Sequence, residues 1–290
     1  MASNTKIQWT SQTWNPTTGC DRISDGCTNC YALTMAKRLK GMGQAKYQND
    51  GNPKTSGPGF ALTLHPDVLD EPYRWKKPRK VFVNSMSDLF HARVPRDFLA
   101  RVFAVMAFTP GHTYQILTKR PERAARILGD SSFAAAVETA MYDDDAYATL
   151  ARGGLKSWPL PNVWIGTSIE SDKHTRRADA LRATPAAVRF ISAEPLLGPL
   201  ESLSLRDIDW LILGGESGPG SRPVESRWIA DLIHQARQNG TAPFVKQLGS
   251  AWARNTTVAG KTVAAWGDTK GGDPQYWPNG LRVREYPATP

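Results

Sequence analysis

The chain has 290 residues and a formal charge of +9, with 40% apolar and 22% charged residues. That length supports one large buried core and excludes a small disulfide-stapled scaffold, and the apolar fraction is that of a globular protein. No run approaches the about 20 apolar residues that a membrane-spanning helix needs, and Met1–Gln12 lacks the apolar centre of a signal peptide, so the expected location is cytoplasmic.

In chain order, the pattern predicts a first strand near Lys6–Thr10, a loop containing all three cysteines, and a helix over Tyr31–Lys40. Gln44–Pro72, rich in Gly, Pro and Asn, reads as an irregular insertion. Short apolar runs rich in β-branched and aromatic residues then alternate with helical patterns. The strands are Lys80–Asn84, Thr113–Leu117, Asn162–Gly166, Val188–Ser192, Asp209–Gly214 and Pro243–Gln247. The helices are Pro95–Phe108, Pro121–Leu128, Ser132–Met141, Lys173–Arg182 and Ser226–Gln238, the last stopped by Asn239-Gly240. Runs this short and continuous suit strands buried on both faces. Their alternation with helices argues for βα units joined by right-handed crossovers. The expected fold is α/β, a partial or complete parallel (β/α) barrel over residues 1–249. Residues 250–290, full of turn formers, form an extension packed on it.

In such a barrel the chemistry gathers at the C-terminal ends of the strands. Those ends read Asn84-Ser85-Met86-Ser87-Asp88, Thr118-Lys119-Arg120, Thr167-Ser168-Ile169-Glu170, Ser192-Ala193-Glu194, Gly214-Gly215-Glu216-Ser217 and Lys246-Gln247. Helix caps explain one polar strand end; six of them, with carboxylates and cations, describe a lined pocket. The net charge suits either an anionic partner, nucleic acid or a phosphorylated small molecule, or a solvated basic surface. The densest basic stretch, Tyr73–Lys80, interleaves Arg74, Lys76, Lys77, Arg79 and Lys80 with Tyr73 and Trp75. Gly214–Gly220 lacks the Lys-Ser/Thr ending of a nucleotide-hydrolysing loop.

Cys20, Cys27 and Cys30 lie between the first strand and the following helix. An odd number of thiols in one loop points to metal or redox chemistry rather than to disulfides. Three thiolates hold three corners of an iron–sulfur cluster and leave one iron open. A structural zinc ion wants four protein ligands and would recruit His65 or His91. Packing as small apolar residues is the third reading.

Asn15-Pro16, Gly19-Cys20 and Gly26-Cys27-Thr28-Asn29-Cys30-Tyr31-Ala32 resemble the cluster loop of radical S-adenosylmethionine enzymes, in particular the branch that includes spore photoproduct lyase. From Lys6 to Gly249 the chain also resembles a phage- and prophage-encoded family of unknown function with the same loop, through NSMSDLF, LTKRPER, VWIGTSIE, RFISAEPLLGP, LILGGESGPGSRP and PFVKQLG. The first cysteine gap is longer than in most enzymes of the class: six residues separate Cys20 from Cys27.

The resemblance implies a 4Fe-4S cluster on Cys20, Cys27 and Cys30, and S-adenosylmethionine as second cofactor. It further implies an external electron donor and a 5′-deoxyadenosyl radical that takes hydrogen from a nucleic acid or nucleotide. It assigns Ser85, Ser87 and Asp88 to the methionine amino group, and Thr167, Ser168 and Glu170 to the ribose hydroxyls and methionine carboxylate. Glu194 and Glu216 fall to adenosine or substrate, and Lys119 with Arg120 to an anion. Each has a structural competitor: Asp88 as a local cap, Glu170 paired with Arg176 or Arg177, Lys119 bridging to the next strand end. The alternative function is a metal-stabilised nucleic-acid-binding protein without catalysis; a barrel that has lost its chemistry and serves as an interaction module is a further one.

Overall fold

The computed structural model describes residues 5, 7–142 and 153–288; Lys6, in the first expected strand, lies outside them. Seven parallel strands form one sheet whose spatial order follows the chain: β1 (Gln12–Trp14), β2 (Lys80–Val83), β3 (Thr113–Thr118), β4 (Val163–Ser168), β5 (Val188–Ala193), β6 (Trp210–Gly214) and β7 (Ala242–Gln247). Each strand is followed in space by the next in sequence, so the sheet curls into a half-barrel and never reverses as a doubly wound sheet does. Helices α1 (Tyr31–Gly41), α2 (Arg96–Phe108), α3 (Pro121–Leu128), α4 (Ser131–Tyr142), α5 (Arg177–Arg182), α6 (Ser226–Gln238) and α7 (Ser250–Asn255) complete it.

The strands expected from Lys80 onward are present within two residues of their ends. The first is not where the sequence put it. Over Ile7–Thr10 the chain turns, Thr10 N donating to Ile7 O at 3.4 Å, and β1 starts at Gln12, paired with Val81. Ile7 and Trp9 are apolar because they close the N-terminal mouth of the half-barrel, the Trp9 ring lying 4.7 Å from Phe82 and 6.1 Å from Trp210. The expected helix Lys173–Arg182 is divided into a 3-10 turn, Asp172–His174, and α5. Helix α7 stands where the sequence pattern predicts turns and loops.

Strand residues alternate between two cores, as period-two geometry requires. Val81, Val83, Ile116, Ile165, Ile191, Leu211, Leu213 and Val245 face the helices and join Phe98, Leu99, Phe103, Leu181, Ile229 and Ile233 in the main core. Phe82, Trp164, Phe190, Trp210, Ile212 and Phe244 face inward and fill the lower interior with rings. Above this layer the inward positions shrink to Gly166, Ser168, Ser192 and Gly214. A methyl group on Gly166 would meet the Phe190 ring at 2.4 Å.

The insertion is irregular, as expected; its Thr63–Leu64 pairs antiparallel with Thr17–Thr18. The C-terminal extension covers the free edge of β7. Val245 N donates to Val283 O at 2.8 Å, Glu285 N to Pro243 O at 2.9 Å, and Tyr286 stacks on Trp210 at 5.4 Å. An edge so covered presents no template for another strand. Among the described residues no helix is long and apolar enough to cross a membrane.

Candidate metal centre

The cysteine loop starts from a junction between β1 and β2. Asn15 Oδ1 accepts from Met86 N at 3.1 Å and Ser85 Oγ at 3.2 Å. Asn84, at φ 60°, sends Nδ2 to Thr17 Oγ1 at 2.8 Å. Gly19 N donates to Met86 O at 3.0 Å. Gly19 has φ +85°, and a Cβ there would stand 2.0 Å from Ala61 O, so only glycine fits before Cys20.

From Cys20 the loop crosses the C-terminal ends of the sheet and is fastened to one after another. At β3, Arg120 Nη1 reaches Cys20 Sγ at 3.5 Å and Nη2 reaches Asp21 O at 3.2 Å. At β4, Ser24 Oγ donates to Glu170 Oε1. At β6, Asn29 Nδ2 donates to Glu216 Oε2 at 2.9 Å, and Arg222 Nη2 donates to Asp25 O at 3.1 Å. At β2, the Tyr31 hydroxyl donates to Ser85 O. Gly26 lies against Glu170, where a Cβ would come within 2.7 Å of Oε1.

The expected carboxylates all converge under this loop, but unequally. Asp88 is buried and accepts from Phe90 N, Thr118 Oγ1, Lys119 N and Arg120 Nη1 at 2.7–3.0 Å. Its acceptor sites are filled by protein, and it acts by aiming Arg120 at Cys20. Glu170 is fully buried between Lys119 Nζ at 3.1 Å and Arg177 Nη1 at 2.9 Å. Burial pushes its carboxyl upward, but Lys119, Ser24 and Arg177 outweigh that and hold it below its ordinary value. Glu216 is likewise pushed up by burial and held low by Arg222 and Asn29. Among the described residues Glu194 keeps only Ser192 Oγ at 3.3 Å and an ion contact with Lys246 Nζ at 3.0 Å.

Among the expected hydroxyls, Thr167 is buried and donates to Thr118 O at 2.9 Å, and Ser87 Oγ bonds Thr17. Both brace the strand ends. Ser168 faces inward, and Ser85 stands beside Asn15 and Tyr31. Ser24, Asn29 and Arg222 are site residues that sequence reasoning missed. The basic stretch Tyr73–Lys80 lies at the other end of the sheet, since Lys80 opens β2 and its ammonium sits 3.6 Å over the Tyr286 ring.

The thiols are half-buried and free. Cys20 and Cys30 pack against Ala32, Ala36, Phe60 and Met86. Burial, then the charge of Asp88, pushes the Cys20 thiol up to about 12 against the pull of Arg120. Cys30 is the N-cap of α1; burial raises its pKa, while the backbone N–H groups of Ala32 and Leu33 favour the thiolate. Cys27 lies near enough to act on both other thiols, and its own Sγ is 3.6 Å from Ser24 Oγ. Among the described residues no three His, Cys, Asp or Glu side chains close around a single metal ion. His65 Nε2 is bonded to Thr18 Oγ1 at 2.8 Å and His91 Nε2 to Asp21 Oδ2 at 2.9 Å, so each candidate fourth ligand for zinc has another partner. A fourth ligand for zinc from either imidazole would have to give up that partner.

Fold and site define an α/β half-barrel protein with a three-cysteine loop latched across the C-terminal ends of its strands. The chain belongs to the family described as protein of unknown function (DUF5131), whose model matches residues 4–273. No curated protein and no solved structure matches it.

Proposed function

We propose that this chain is a 4Fe-4S, S-adenosylmethionine-dependent radical enzyme with the radical-SAM type of partial barrel, its cluster held by Cys20, Cys27 and Cys30. One observation carries the reading. Three thiols, with no fourth protein ligand beside them among the described residues, sit over strand ends whose fixed charges leave one cation in excess. Lys119, Arg120, Arg177, Arg222 and Lys246 face Asp88, Glu170, Glu194 and Glu216. That excess suits an anionic group built on three thiolates.

When bound, the two cofactors and an external electron donor supply a 5′-deoxyadenosyl radical that abstracts hydrogen from the substrate. The chain's own residues bind, orient and exclude water. Arg120, aimed by Asp88, stabilises the Cys20 thiolate, and the start of α1 does so for Cys30. Glu170 and Glu216 fasten the loop through Ser24 and Asn29, which keeps bulk water from the thiols. Lys119 supplies positive charge for the methionine carboxylate, and Ser85 an oxygen for the amino group. Gly166, Ser168, Ser192 and Gly214 leave the upper interior open for a reactant, above a floor of aromatic rings. A nucleotide or nucleic acid remains the proposed substrate on the grounds of net charge and family resemblance; the basic stretch at the far end of the sheet lends it no support.

The test is anaerobic reconstitution with iron and sulfide, then incubation with S-adenosylmethionine and dithionite and assay for 5′-deoxyadenosine. Wild type should be brown and form the product; Cys27→Ala should do neither. A colourless protein that retains zinc, or a Cys27→Ala variant as coloured as wild type, would overturn the assignment.

A further inference from the structure

The four carboxylates at the strand ends differ in how completely the protein occupies them. Asp88, Glu170 and Glu216 each accept several aligned hydrogen bonds from fixed side chains and backbone. Glu194 does not. Its Oε1 is buried without a hydrogen bond, because Lys246 Nζ stands 3.0 Å away but off the line of one. Lys246 is correspondingly loose: an ammonium has three donors, and among the described residues this one has a single ion contact.

Both groups face the open part of the interior. A Cβ on Gly214 would come within 2.6 Å of Glu194 Oε1, which places that carboxylate over the small-residue layer. Lys246 lies two residues after Phe244, an inward residue, and is the extra residue of a β-bulge: Leu213 pairs with Val245 and Gly214 with Gln247. Bulges of this kind re-aim side chains beside functional sites. The bulge is fixed from outside by Arg284, which donates to Val245 O at 3.1 Å and to Lys246 O at 3.0 Å. A buried carboxylate oxygen without a hydrogen bond is costly unless a ligand supplies one.

We propose that Lys246 and Glu194 form a substrate subsite. Lys246 takes a phosphate oxygen, and Glu194 Oε1 accepts from a neighbouring hydroxyl of the same ligand. The inference rests on the reading of this end of the sheet as the place where the reactant sits, but it requires no bound iron. The phosphate belongs either to a small phosphorylated molecule or to a nucleic-acid backbone.

Equilibrium dialysis of the iron-free protein at low salt, with thymidine, thymidine 5′-monophosphate and a short thymidine oligonucleotide as probes, tests it. Wild type should bind one or both phosphorylated probes and not thymidine. Preference for the monophosphate identifies the small-molecule source, and preference for the oligonucleotide the backbone. Lys246→Met should weaken binding about tenfold or more, as loss of a charge-assisted hydrogen bond predicts, and Lys246→Arg should retain most of it. Glu194→Gln should tighten phosphate binding, because the amide oxygen still accepts from the hydroxyl while the competing negative charge is gone; a merely structural pair would weaken it. Should Lys246→Met fail to fold, the opposite signs of Glu194→Gln and of added salt carry the test. Wild type that binds neither phosphorylated probe, a folded Lys246→Met that binds like wild type, or a Glu194→Gln variant that binds more weakly would overturn the subsite. Because the measurement is made without iron, a failed deoxyadenosine assay leaves it standing, and its own failure leaves the cluster assignment standing.

Discussion

Glu170→Gln is the most informative single substitution outside the thiols. The carboxylate is fully buried, and the substitution keeps its shape while removing its charge. It leaves Arg177, with 7% of its side chain exposed, and Lys119, with 19%, facing a neutral amide whose NH2 cannot accept from Arg177. Breaking a buried ion pair by neutralising one partner costs about 3–5 kcal/mol. Because Lys119 retains some contact with water, the lower end, about 3 kcal/mol, applies here. At roughly 2–4 °C per kcal/mol for a large domain, the midpoint of thermal unfolding should fall by about 6–12 °C. The pH dependence has a definite sign. The folded carboxyl lies below its ordinary value, so its contribution is complete above the ordinary carboxylate range and is lost as pH falls through the lowered value. Wild type and variant should therefore differ most near neutrality and converge in acid. Urea titrations of both at neutral and acidic pH measure this; a loss below about 1 kcal/mol at neutrality, or one that acid leaves unchanged, would refute the reasoning.

Gly19→Ala should prevent the cysteine loop from closing, since its Cβ would collide with the Ala61 backbone in a conformation that already disfavours side chains; the iron content of reconstituted protein should drop sharply. Gly26→Ala presses a methyl group onto Glu170 and should cost about 1–3 kcal/mol in a urea titration, with faster cluster loss. Asp130, held at about 2 by Arg96 and then by Ser132, contributes stability that is complete above 3.8 and disappears as pH falls through about 2; Asp130→Asn should flatten that part of the stability profile. A chain ending at Arg282 uncovers the β7 edge and the Trp210 ring, and light scattering should detect self-association that the full chain does not show.

Strands β2 to β7 were legible because both their faces are buried, which writes each one as a short apolar run between polar ends. The first was not, since Ile7 and Trp9 imitate a strand while plugging the barrel mouth. Knowing the strand ends was enough to list Asp88, Glu170, Glu194 and Glu216 together, because topology alone gathers them. What the list could not show was how far each is already engaged. That depends on Ser24, Asn29 and Arg222, ordinary loop residues whose role follows from where the cysteine loop crosses the sheet. The placement of Tyr73–Lys80 was, by contrast, within reach of the sequence. A segment that leads into a strand lies at that strand's N-terminal end, away from the loops that carry chemistry.

The six-residue gap between Cys20 and Cys27 is the chain's main departure from the loop it resembles, and the structure gives that length a use. Asp21 takes His91 at 2.9 Å and Arg93 at 3.2 Å, which anchors the beginning of the gap to the β2 side. Ser24 then reaches Glu170 beyond β4, and Asp25 pairs with Lys173 while its carbonyl accepts from Arg222 of the β6 loop. The 3-10 turn Asp25–Cys27 brings the chain back toward α1, and Gly26 permits the turn to lie flat on Glu170. A shorter gap would lose the residues that make these contacts, leaving the loop tied at β2, at β3 and, through Asn29 alone, at β6. The added residues therefore fasten the loop to the middle and far side of the sheet. These hydrogen bonds within the protein hold the cysteine loop across the strand ends, where the proposed cluster would have to bind.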